Sequence, residues 1–181
     1  ELKPNAVGQS VAEGLVLANF DFAQFKGAVS KTGKSKGGLD KDFRLSVTVE
    51  REARAGFSRG LLIGESVNIA RNLAATPPNV ANPTYLVRYC RKMARDHGLT
   101  CSIIDVQKAQ QLNMGGLLAV GRAGSTPPAM ICLEWNGTKS QRRKSGKRRT
   151  DGPLLLVGKA ITFDTGGYLL KINNTMLGMK Y

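Results

Sequence analysis

Apolar and polar positions alternate along this chain in patterns that change several times. Val11 to Phe25 is an apolar segment, followed by a stretch rich in lysine and glycine. Phe43-Arg44-Leu45-Ser46-Val47-Thr48-Val49 then alternates strictly, which predicts a strand with one face buried. From Glu50 to Leu73 the period lengthens: Phe57, Leu61, Leu62, Ile69 and Leu73 recur about once per helical turn, and Thr76-Pro77-Pro78-Asn79 stops the predicted helix. A second helix opens at Asn82-Pro83, with Asn82 as N-cap and Pro83 at the first position. It carries Tyr85, Leu86, Tyr89, Cys90 and Met93 and stops at Gly98.

Beyond Leu99 the pattern reads strand, short helix, strand. Cys101 to Val106 is rich in β-branched residues, Gln107 to Leu112 is helical in composition, and Ala129 to Trp135 is a second strand after the Thr126-Pro127-Pro128 turn. Pro153-Leu154-Leu155-Leu156-Val157-Gly158 is continuously apolar, the pattern of a strand buried on both faces. Helices alternating with strands predict an α/β layered fold with no internal repeat. The expected division is residues 1–60 as the end of a smaller α/β N-terminal domain, 61–82 as a linking helix with a proline-rich hinge, and 83–181 as the first part of a catalytic domain.

Composition narrows the class. Of 181 residues 41% are hydrophobic and 22% charged, enough apolar material for a core. No apolar run approaches the ~18 residues of a membrane span, and residues 1–10 lack a basic segment followed by an apolar one, so neither a membrane nor a secreted protein is expected. Cys90, Cys101 and Cys132 are odd in number and widely spaced, which suggests reduced thiols in a cytoplasmic protein. With no CxxC pair and His97 as the one histidine, a cysteine-based zinc site has no support.

The net charge is +14, from 27 Lys and Arg against 13 Asp and Glu. Half of it sits between Lys139 and Arg149, where Lys139, Arg142, Arg143, Lys144, Lys147, Arg148 and Arg149 meet no acid. Lys26, Lys31, Lys34 and Lys36 form a smaller run. Both read as solvated loops, being mixed with Gly, Ser and Thr and without apolar periodicity. The alternative for the longer run is a nucleic-acid contact, although no aromatics interleave the charges. His97 reads as a helix-end residue suited to the helix dipole, and Trp135 as sheet-edge packing.

The chemistry concentrates late in the chain. Leu155-Leu156-Val157-Gly158-Lys159 ends an apolar run on a lysine, Asp164 follows five residues later, and Gly166-Gly167 turns the backbone before Lys171. Ligand sites in open α/β sheets lie at such strand ends. From the residues alone two readings stay open: a ligand site, or a Lys159–Asp164 ion pair beside a glycine turn.

Three pieces in order decide how the block is read further. Ala70-Arg71-Asn72-Leu73 leads to Pro77-Pro78-Asn79 and Asn82-Pro83; Gly115-Gly116-Leu117-Leu118-Ala119-Val120-Gly121 follows; Val157-Gly158-Lys159 runs through Thr162-Phe163-Asp164-Thr165-Gly166-Gly167 to Lys171 and Met179-Lys180-Tyr181. Over roughly residues 60 to 181 the chain resembles the cytosolic leucyl aminopeptidase family, hexameric exopeptidases with two metals. The resemblance implies a metal-dependent enzyme that releases N-terminal residues from peptide substrates, with two divalent cations, manganese or zinc, in a cytoplasmic homohexamer. It implies Lys159 and Asp164 as metal ligands, Lys171 as the catalytic lysine facing the substrate carbonyl, and Met179 in the pocket for the N-terminal side chain. An amine ligates only when a neighbouring dication suppresses its protonation, whereas a lysine held off the metal stays cationic and stabilises an oxyanion.

Departures from the family pattern shape a further expectation. The pattern calls for a third carboxylate one residue after Met-Lys-Tyr and a later Asp-x-Glu-x-Arg cluster, so residues 1–181 hold two of five metal ligands. A piece truncated at both ends, inactive by itself, is expected. Ala160 stands where glycine is usual, and Tyr168, Leu169 and Leu170 where smaller residues are usual.

Overall fold

The computed structural model describes residues 2–22, 24–25, 45–136 and 152–163. The chain divides into two compact units, with the boundary between Thr76 and Pro77.

The first unit is a pair of helices. α1 (Pro4–Ala18) opens with Pro4 in its first turn, where the missing N–H costs nothing. A single 3-10 turn, Arg51–Ala53, leads into α2 (Arg54–Ala75), which ends at Thr76 ahead of the prolines as the sequence predicts. The two helices pack along their lengths and run in the same direction. Asn5 Oδ1 accepts the Gly56 N–H at 2.9 Å near their starts, and Asn68 Nδ2 donates to the Val16 carbonyl at 3.1 Å near their ends. Arg71 closes the far end: its Nη1 donates to the Leu17 backbone carbonyl and to Asn68 Oδ1, each at 3.1 Å, while the guanidinium lies 3.8 Å from the Phe20 ring centroid. The Leu17 carbonyl is among those a helix end leaves without an intrahelical partner.

The buried residues of this pair are small: Gly8 and Ala12 on α1, and Gly56, Gly60 and Gly64 on α2. Four-residue spacing puts the three α2 glycines on one face, and their bare backbones let α1 approach. A Cβ on Gly60 would sit 2.8 Å from Ala12 Cβ, and one on Gly64 2.8 Å from Val16 Cβ. The expected apolar face of α2 is therefore corrected. Phe57, Leu61 and Leu73 are half-buried beside the glycines, whereas Leu62 and Ile69 are exposed, because backbone-to-backbone approach fills the seam. The strand expected at 43–49 is also corrected: Leu45 to Glu50 carries no strand ladder, and Leu45 and Val47 are exposed. Alternation marks a segment fit to pair, and no partner is present among the described residues.

In the second unit α3 (Pro83–His97) matches its sequence signals. Asn82 Oδ1 accepts the Tyr85 N–H at 2.9 Å, and Gly98 ends the helix in the left-handed region at φ 68°. Leu99 N–H then bonds back to the Ala94 carbonyl at 2.8 Å, reversing the chain. β1 (Thr100–Ile104) returns along α3 and pairs antiparallel with β2 (Met130–Glu134), Cys101 opposite Leu133 and Ser102 opposite Cys132. The strand expected to reach Val106 stops at Ile104, because Asp105 caps α4 (Val106–Gln111), its Oδ1 accepting the Lys108 N–H at 2.9 Å. α5 (Gly115–Gly121) follows after Asn113, whose φ is 53°. Ala81, Ala94 and Ala109 are buried in this unit.

The fold is thus α/β, with helices packed on a small sheet. The strand expected at 153–158 is a correction: Gly152 to Phe163 is without strand pairing, and Leu154, Leu155, Leu156 and Val157 are 81–87% exposed. Among the described residues the sheet is the β1–β2 pair, which leaves this run no ladder neighbour.

Candidate functional site

Lys159 lies in the Gly152–Phe163 segment, which carries no helix or strand, and is exposed. The Ile161 N–H donates to the Lys159 carbonyl at 3.1 Å, a tight turn centred on Ala160. The segment runs on through Thr162, half-buried, to the exposed Phe163. Asp164, Lys171 and Met179 lie outside the described residues, as do the Gly166-Gly167 turn and the Lys139–Arg149 and Lys26–Lys36 runs. Of the four site residues expected from the sequence, the structure therefore positions Lys159. Among the described residues no three His, Cys, Asp or Glu side chains converge on a point. The donor set in view is one lysine amine, which does not by itself make a cradle for a hard or borderline dication.

The other pieces of the sequence pattern hold definite places. Ala70 to Leu73 is in the last turns of α2, where Arg71 ties down the end of α1. Sequence reasoning missed this role of Arg71; its i, i+3 spacing from Asn68 was the available signal. Pro77 bonds onward through its carbonyl to the N–H groups of Val80 (2.9 Å) and Ala81 (2.8 Å), forming the turn that delivers Asn82 to its cap. Gly115 to Gly121 is α5. His97 is exposed at the end of α3, and Trp135 is 72% exposed beyond β2 rather than packed at the sheet edge.

Two open grooves flank these elements, neither lined by Lys159. One, of about 310 Å³, lies between the start of α3 (Pro83, Thr84, Val87), Ile103 at the end of β1, the α4 cap Asp105 and Pro127-Pro128. The other, about 400 Å³, runs along α2 past Arg59, Leu62, Ile63, Ser66, Val67 and Ala70.

Residues 68–181 match the model of the cytosol aminopeptidase family, catalytic domain, a span that includes α3 to α5, both strands and the Lys159 segment. The chain belongs to the cytosol aminopeptidase family. It is similar to proteins described as "Probable cytosol aminopeptidase" from Dechloromonas aromatica (strain RCB), 36% identical over 91% of this chain and 31% of the relative, and from Bacillus subtilis (strain 168), 31% identical over 99% and 34%. Among solved structures it resembles the bottromycin maturation enzyme BotP, including BotP in complex with Mn. The TM-score is 0.57 and the identity 26%, over 71% of this chain and about a quarter of BotP. The chain spans about a third of the length of these curated aminopeptidase relatives. No helix among the described residues is long and apolar enough to cross a membrane.

Proposed function

We propose that the protein containing this chain is a metal-dependent aminopeptidase of the leucyl type, acting on the N-termini of peptides as a cytoplasmic homohexamer. The observation that carries the reading is the family match over residues 68–181, a span that takes in the Lys159–Lys171 block. In it Lys159 and Asp164 are metal ligands, the Lys171 ammonium faces the scissile carbonyl, and Met179 offers an apolar surface to the departing residue's side chain. The Mn complex of BotP supports a divalent metal, and two cations, manganese or zinc, are proposed here. A bound cation there supplies Lewis acidity toward the carbonyl. Lys171 contributes a fixed positive charge where negative charge develops, the role in which a lysine outperforms a neutral donor.

The test is turnover of a leucyl chromogenic amide by the whole protein, with loss on chelation and recovery with manganese or zinc. A well-folded, metal-loaded protein inert to a panel of aminoacyl amides would sink the proposal. Residues 1–181 by themselves, holding two of the five ligands the family pattern calls for, are proposed to be inactive. Turnover by that polypeptide would refute this narrower point.

A second reading rests on seven cations within Lys139–Arg149: contact with nucleic acid through this run. If about five of them meet phosphates, the observed affinity falls with log salt at a slope of roughly −4 to −5. Deleting residues 139–149 is expected to abolish salt-sensitive DNA binding and spare peptide hydrolysis. Binding that survives the deletion with its slope intact would remove this reading.

A further inference from the structure

Cys90 and Cys101 fall on facing sides of the α3–β1 contact. Along α3, Leu86, Cys90 and Ala94 share one stripe, and Ala94 is buried. On β1, Cys101 and Ile103 point to one face and Thr100 and Ser102 to the other; the first two are half-buried and the last two exposed. Ile103 shares a groove with Thr84 and Val87 of α3, which fixes the face that α3 covers.

The spacing brings the two cysteines level. Because β1 returns along α3, the two residues back from Ile103 to Cys101 cover ~7 Å, which along α3 is between four and five residues forward from the Thr84–Val87 turn and reaches the turn that holds Cys90. Counting from the Gly98 reversal agrees: eight helical residues to Cys90 cover ~12 Å, and three extended residues to Cys101 cover ~10 Å. Cys132 stands opposite Ser102 in the register and so faces away from Cys101. Burial pushes the Cys90 thiol up, and the neighbouring Cys101 pushes it further the same way, as closely spaced sulfurs do. All three thiols are free in this structure.

We propose that Cys90 and Cys101 are a redox-sensitive thiol pair that closes into a disulfide, tying α3 to β1. The oxidant is hydrogen peroxide. One cysteine thiolate attacks the O–O bond, giving a sulfenic acid and one water after proton transfer. The second sulfur then displaces the sulfenic hydroxyl, forming the S–S bond and releasing a second water, so two thiols and one peroxide give one disulfide and two waters. Because the Cys90 thiol is held up, closure runs faster as pH rises toward the alkaline side, where more of it is thiolate. The proposal stands independently of the peptidase reading.

The test is to treat the whole protein with hydrogen peroxide, block remaining thiols with iodoacetamide under denaturing conditions, and map tryptic peptides without reduction. Arg91, Lys92 and Arg95 lie between the two cysteines, so trypsin separates Tyr89–Arg91 from Asp96–Lys108. The expected product is these two peptides joined, split again by dithiothreitol, with the Cys132 peptide alkylated. Cys90→Ser and Cys101→Ser should each abolish the joined species, and Cys132→Ser should leave it. Recovery of both peptides fully alkylated after peroxide, or a linkage that runs to Cys132, overturns the proposal.

Discussion

Lys171→Ala in the complete protein is expected to lower turnover of a leucyl amide by ~10²-fold or more while its metal content stays close to that of the parent. A preorganised charge at a developing oxyanion acts mainly in the transition state, and losing such a group typically costs ~10²–10³ in kcat. Asp164→Ala is expected to lose metal and activity together, since a carboxylate ligand to a hard dication has no substitute in alanine. Lys159→Ala belongs with Asp164→Ala, its amine being proposed as a ligand. Metal analysis of each variant beside steady-state kinetics checks the division. Equal metal content and equal turnover in Lys171→Ala and Asp164→Ala would show that the roles are misassigned.

Gly56→Ala and Gly60→Ala are each expected to destabilise the helix pair by about 1–3 kcal/mol. The added Cβ at position 56 meets the Asn5 backbone and the one at position 60 meets Gln9 backbone and Ala12 Cβ, and backbone has nowhere cheap to move. Gly14→Ala is the internal contrast. It lies in α1 with nothing within 4 Å of the new Cβ, so replacing a helical glycine should stabilise by ~0.5–1 kcal/mol. Urea unfolding followed by far-UV circular dichroism reads all three, and the signs should be opposite. A Gly60→Ala protein that unfolds at the parent's midpoint would mean that α1 does not sit this close to α2.

What was legible in the sequence was chiefly what local chemistry dictates. α3 was readable because Asn82, Pro83 and Gly98 each act within one turn of their own position. The β1–β2 pair was readable from short β-rich runs, although Asp105 ended β1 earlier than composition suggested, its carboxylate serving as a helix cap. The α1–α2 seam was hidden because a reading of apolar side chains looks for Phe57 or Leu62, whereas Gly56, Gly60 and Gly64 join helices by having no side chain. The runs at 45–49 and 154–157 show the other limit: a strand is a relation between two segments, and its pattern is visible in one while its pairing depends on the other. Of the site, the family resemblance named Lys159, Asp164, Lys171 and Met179, and Lys159 is the one the described residues contain. Nothing in the local pattern around it, an apolar run ending on a cation, separated a ligand from a surface lysine without that resemblance.

The exposed run Leu154–Val157 bears on how the 181-residue polypeptide behaves in solution. Four consecutive exposed apolar residues that pair with no strand among the described residues invite edge-to-edge association between copies. A net charge of +14 opposes that encounter, and it does so through a field whose reach the solvent sets: ~10 Å at 0.1 M salt, ~3 Å at 1 M. Colloidal stability therefore hangs on ionic strength. Dilute buffer keeps the molecules apart, and added salt removes the barrier before it weakens the attraction.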